Sequence, residues 1–217
     1  MTLRSERTRA SLLDAALAAF AQRGIRSTTL EDVAMAARVT RGAVYWHFAD
    51  KAAVVREVFN GLVWPFDIGT DIDVYKQSGA PMQLLRDVLW LRMKNSLDDA
   101  AQQRMIQLLL KSSGAEELPD DLSSRLEEMA TRSIKNLTAV LNICYLRRVL
   151  RRGLTPLDVA MGIHATGLGV LAENTNQLPH SLARPFFLPL ELVLLGACKE
   201  SRKNSSLLIL DGRGSLK

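Results

Sequence analysis

From Thr28 to Lys51 the sequence reads TTLEDVAMAARVTRGAVYWHFADK, and polar side chains recur in it where a short helix would leave them facing outward. Thr40 and Arg41 stand at the start of such a helix, beside backbone N–H groups that lack intrahelical partners and favour an anion. Arg41 carries a planar fork of donors that matches guanine or phosphate. Gly42 and Ala43 are small enough for close approach to a groove, and an alanine methyl can touch a thymine methyl. Tyr45 and His47 add polar tips suited to phosphate oxygens, and Lys51, opening the next helix, can reach the same backbone. The chemistry available to this set is contact with the grooves and phosphates of duplex DNA. The competing reading is a helical hairpin with solvated Thr, Arg and Lys and a Tyr-Trp-His-Phe core cluster. The ordered run as a whole favours DNA.

Two short helices must position these groups. Leu30, Val33 and Ala34 fall on one helical face, which Ala37 continues. Thr28 or Thr29 can cap that helix, with Glu31 and Asp32 suiting its positive end. Val39 can plug the following turn, and Ala43, Val44 and Phe48 form an apolar stripe on the next helix, Thr40 to Phe48. Two short helices sharing one seam across a tight turn form a helix-turn-helix. A first helix over 6–23, stopped at Gly24, and a fourth from Lys51 towards Val63 would complete its core.

Further helices are expected at roughly 81–97, 99–112, 119–151, 156–175 and 184–200. The expected fold is therefore all-α, with about nine helices. A helix-turn-helix domain spans 1–63, a helical ligand-binding and dimerisation domain spans 64–202, and a disordered tail spans 203–217, with the apolar run SLLIL left to dock elsewhere. The composition agrees: 47% hydrophobic and 24% charged residues suit a globular core, and a net charge of +5 suits an anionic partner.

Other chemistries find little support. Cys144 and Cys198 are too few for a disulfide framework and read as buried free thiols. His47, His164 and His180 have no metal-ligand spacing. No nucleophile–base pair, phosphate loop or dinucleotide fingerprint occurs, so neither an enzyme, a cofactor nor a metal is expected. A charged start without a signal peptide and the absence of a long apolar run point to the cytoplasm, with no membrane partner.

The first 60 or so residues resemble the TetR family of repressors, in particular the AcrR-like multidrug-efflux regulators. The residues carrying the resemblance are Thr8-Arg9, Leu13-Asp14-Ala15-Ala16, Phe20, Gly24, Thr28-Thr29, Val33-Ala34, Val39 through Phe48, and Lys51. The resemblance implies DNA contacts from Thr29, Thr40, Arg41, Gly42, Tyr45, His47 and Lys51, and a phosphate contact from Thr8. Thr28 and Ala43 are counted with them. Trp46 either packs or touches the DNA backbone, packing being favoured. The rest of the chain matches in helix pattern and length only.

A single reading helix needs a twofold mate, so a homodimer on palindromic operator DNA is expected. The small residues of 156–175 and the apolar residues Phe186, Phe187, Leu190, Val193, Leu194 and Ala197 are candidates for its interface or for the monomer core. Leu85, Val88, Leu89 and Arg92, then Ile106, Leu109 and Leu110, recur at helical spacing, and Thr138 and Asn142 sit among apolar neighbours. With Ala165 they are candidates for a pocket that takes a hydrophobic small-molecule inducer, or simply for core. The resemblance implies control of an efflux-pump operon; regulation of metabolic genes, by repression or activation, is the alternative.

Overall fold

A computed structural model describes residues 3–112, 118–175 and 188–199. Among them are ten helices: α1 (Leu3–Arg23), α2 (Leu30–Ala36), α3 (Arg41–His47), α4 (Lys51–Asn60), α5 (Ile72–Gln77), α6 (Pro81–Asp98), α7 (Ala100–Ser112), α8 (Asp120–Leu146), α9 (Pro156–Thr175) and α10 (Leu188–Ala197). The fold is all-α, as expected, and carries one helix more than the nine read from the sequence. The addition is α5, about a turn and a half between Gly69 and Pro81 where no helix is expected from the sequence. The 203–217 tail, Phe186 and Phe187 lie outside the described residues.

Local signals set the helix ends. Gly24 stops α1 with a φ of +84°, and its N–H donates to Phe20 O at 2.8 Å. Asp50 caps α4, its carboxylate accepting from Ala53 N at 2.7 Å. That helix ends at Asn60, short of Val63, because the Gln102 side chain takes over the chain there. Its amide donates to Gly61 O at 2.7 Å and its oxygen accepts from Val63 N at 3.0 Å. The long helix expected to reach 151 ends at Leu146, and Arg148 follows with a φ of +59°. The chain there turns onto α10, with Lys199 N donating to Val149 O and Arg151 N to Ala197 O, both at 2.9 Å.

The described residues form two compact units. The first combines the chain up to Asp67 with Leu91–Ser133; the second combines Ile68–Trp90 with the chain from Ile134 onward. The division is therefore not a single cut near residue 63. Packing of α7 against α1 draws a middle segment into the first unit. Leu12, Ala16, Phe20, Val33, Val44, Val54 and Phe59 make its core, with α1 against α2 and α4, and α2 against α3. Ser133 donates to Phe66 O at 2.8 Å in the same unit. The second unit buries Leu85, Leu89, Leu137, Leu141, Ile163, Leu171 and Leu190, with α9 packed on α10.

Candidate nucleic-acid interface

The reading surface follows from which face of α3 the core consumes. Val44 is fully buried and Phe48, just past the helix, nearly so, while Arg41, Gly42, Tyr45 and Trp46 stay exposed. Thr40 caps the helix from an extended conformation, its hydroxyl accepting from Ala43 N at 3.2 Å. Val39 and Ala43 are half-buried at the seam. Trp46 does not pack: it is 67% exposed, its ring edge-on to His47 at 4.6 Å between centroids. His47 is half-buried. A seven-residue helix cannot bury both Val44 and the indole two positions on, which lies on the opposite face.

The turn between α2 and α3 contains Arg38 at a φ of +55°. A side chain in this left-handed conformation carries steric strain that glycine would avoid. Nothing in the amino-acid type announces it.

Arg41 does not float. Its Nη1 donates to Glu31 Oε1 on α2 at 2.9 Å, and its guanidinium lies 5.4 Å from the centre of the Tyr45 ring. Tyr45 first, then Glu31, raise the guanidinium pKa further above its ordinary value. Sequence reasoning places Glu31 at the helix dipole and misses this pair, since residues ten apart on different helices have no common period.

α2 begins with a reciprocal capping box. Thr29 Oγ1 accepts from Asp32 N at 3.1 Å, and Asp32 Oδ2 accepts from Thr29 N at 2.8 Å. The backbone and then the hydroxyl of Thr29 hold the Asp32 carboxyl below its ordinary pKa. Thr29 stays exposed, so its hydroxyl serves the cap while its flank faces outward. On α1, Thr8 is half-buried. Arg9 ties α1 to α4 through Glu57 at 2.7 Å and lies 5.5 Å from the centre of the Phe48 ring.

Two expected DNA contacts are corrected. Thr28 is fully buried, and its hydroxyl donates to Gly24 O at 2.8 Å and Ala19 O at 3.4 Å. It closes the end of α1 and has no surface to offer. Lys51 is turned inward: its ammonium donates to the carbonyls of Ile25, Arg26 and Thr28 at 2.9, 3.2 and 3.1 Å. Its three donors are thus taken by a loop.

The candidate pocket residues are dispersed. Arg92, Ile106, Leu109 and Leu110 belong to the first unit, and Leu85, Val88, Leu89, Thr138, Asn142 and Ala165 to the second. Leu85, Leu89 and Ile106 are core; Val88, Arg92, Leu109, Leu110 and Thr138 are half-buried. Asn142 and Ala165 are exposed, which removes them from an enclosed cavity. The Thr138 hydroxyl donates to Ile134 O of its own helix at 2.8 Å, so it is no free anchor. The second unit does hold a half-buried ion pair, Arg86 Nη1 to Glu191 Oε1 at 3.1 Å. Burial lowers the pKa of His164 and pushes the Cys144 thiol up to about 11, while Cys198 is half-buried.

Leu190, Leu194 and Ala197 are buried in the monomer, not offered outward. The outward faces carry Leu157, Met161 and Ala165 on α9 and Leu188, Leu192 and Leu195 on α10, each row at helical spacing. Among the described residues no cluster of three or more His, Cys, Asp or Glu could hold a metal, and no helix is long and apolar enough to cross a membrane.

Two short capped helices across a tight turn, with Arg41, Gly42, Tyr45 and Trp46 exposed on the second, make a helix-turn-helix. Residues 12–58 match the model of the bacterial regulatory proteins of the tetR family. The regulator AcrR of Shigella flexneri is 32% identical over 108 residues, 48% of this chain and 49% of that protein. The chain thus spans about half the length of the curated relatives it matches. A crystal structure of NalD, the secondary repressor of the MexAB-OprM multidrug efflux pump in Pseudomonas aeruginosa, superposes with a TM-score of 0.73 at 27% identity, covering 92% of this chain and 100% of that one. SmeT of Stenotrophomonas maltophilia, in complex with triclosan, gives 0.70 at 28% identity over 90% of this chain and 93% of that one. Residues 12–58 thus match a tetR-family region, in a chain similar to the efflux regulators AcrR, NalD and SmeT.

Proposed function

We propose that the chain is a ligand-responsive transcriptional repressor that binds palindromic operator DNA as a homodimer in the bacterial cytoplasm and controls a multidrug-efflux operon. The observation that carries it is the division of α3: Val44 anchors the helix while Arg41, Gly42, Tyr45 and Trp46 stay exposed on it. That face holds donors for bases and phosphates and a glycine that permits close approach. Thr8, Thr29, Thr40, Ala43 and His47 flank it as further contacts.

Two copies would hold their α3 helices one DNA turn apart, roughly 34–36 Å. The apolar rows of α9 and α10, which the monomer leaves uncovered, suit a four-helix interface between copies. A hydrophobic inducer taken up by the helical part would change the separation of the reading helices and weaken DNA binding. Linkage then requires DNA to weaken inducer binding by the same factor. The names of NalD, an efflux-pump repressor, and of the SmeT–triclosan complex support the efflux assignment and the class of inducer.

The test is fluorescence anisotropy on duplex DNA from upstream of the protein's own coding sequence. The protein should prefer that duplex to a random one of equal length and release it on titration with a hydrophobic antimicrobial. An unchanged affinity in the Arg41→Ala, Tyr45→Ala double variant would overturn the assigned surface.

A further inference from the structure

Arg41 reaches its position with both sides supported. Glu31 accepts from Nη1 on one side, and the Tyr45 ring lies one helical turn further along α3. Arg41 and Glu31 are both exposed. A free arginine at such a position would sample many rotamers and lose that freedom on reading a base. The pair restricts it beforehand, and a guanidinium has five donors, so the bond to Glu31 leaves others for a guanine edge.

The same carboxylate acts on DNA in a second way. It places a negative charge beside a surface that must approach phosphates, and it offsets the charge of Arg41. Both effects weaken sequence-independent attraction, which depends on net positive charge at the phosphate backbone. One side chain would thus assist base reading and oppose indiscriminate binding, and specificity is the ratio of the two.

We propose that Glu31 is a specificity-determining positioning residue, which holds the Arg41 fork for base reading and disfavours random duplex. The inference rests on the DNA-reading function proposed above. Exposed ion pairs couple weakly, so its effect on the ratio of operator to random affinity should be about two- to fivefold.

The experiment compares the full-length protein, Glu31→Gln, Arg41→Ala and the double variant. Each is titrated by anisotropy against the duplex from upstream of its coding sequence and against random duplex, over a series of KCl concentrations. Glu31→Gln should tighten binding to random duplex and lower the upstream-to-random ratio by about two- to fivefold. In the Arg41→Ala background the same change should lower the ratio less, because the part of the effect that runs through Arg41 is gone. A ratio that holds or rises in Glu31→Gln, or that falls equally without Arg41, overturns the assignment while leaving the DNA-reading function intact. A full-length protein with no preference for either duplex overturns both.

Discussion

The ammonium of Lys51 donates to the carbonyl of Ile25 at 2.9 Å, joining the start of α4 to the loop that follows α1. Arg26 and Thr28 supply two further carbonyls. Lys51→Met would leave these oxygens without their charged donor and should destabilise the protein by about 1–3 kcal/mol, read from the urea midpoint. The salt dependence of DNA binding should be unaltered. A normal midpoint with a shallower salt slope would instead make Lys51 a phosphate contact.

The Thr29–Asp32 box gives a pH-dependent contribution of known sign. The folded carboxyl of Asp32 titrates below its ordinary value of 3.8, so its contribution is complete above that value and is lost as pH falls through the lowered folded one. The stability difference between the native chain and Asp32→Asn should therefore be constant near neutrality and vanish in acid below the ordinary value. Thr29→Ala, which removes the cap oxygen, should cost about 1 kcal/mol at neutral pH. Chemical denaturation across the acid range measures both, and an Asp32→Asn difference that grows in acid would contradict the box.

The apolar rows on α9 and α10 predict the assembly. Met161 and Leu192 are 50% and 61% exposed, each in the middle of its row. Met161→Glu or Leu192→Glu should convert a dimer to monomers in sedimentation velocity. Each should also lower operator affinity roughly tenfold or more, through loss of the second half-site. A variant that stays dimeric would place the interface elsewhere.

Much of the reading head was legible because its signals are local. Thr40 and Asp50 precede their helices as caps, Gly24 ends α1, and the spacing of Leu30, Val33 and Ala34 marks a buried face. What periodicity could not reveal is where a long polar side chain goes once the helices meet. Lys51 and Thr28 have the types of DNA contacts but are spent on carbonyls; Trp46 has the type of a core residue but projects outward. Asn142 and Ala165 share helices with core residues and fall on their exposed sides. Over helices as apolar as α9 and α10 hydrophobicity no longer marks one face, so the sequence left Leu190 and Leu194 open between interface and core; they are core, while Leu192 is exposed.

Guanine N7 lies in the major groove, so methylation protection tests directly whether α3 reads there. On the duplex upstream of the coding sequence, the account predicts two protected clusters of guanines, centred about 10 base pairs apart or at a multiple of that spacing. Arg41→Ala should abolish protection at specific guanines in both clusters. A saturated complex with every guanine N7 still reactive, or a protection pattern that Arg41→Ala leaves intact, would contradict it.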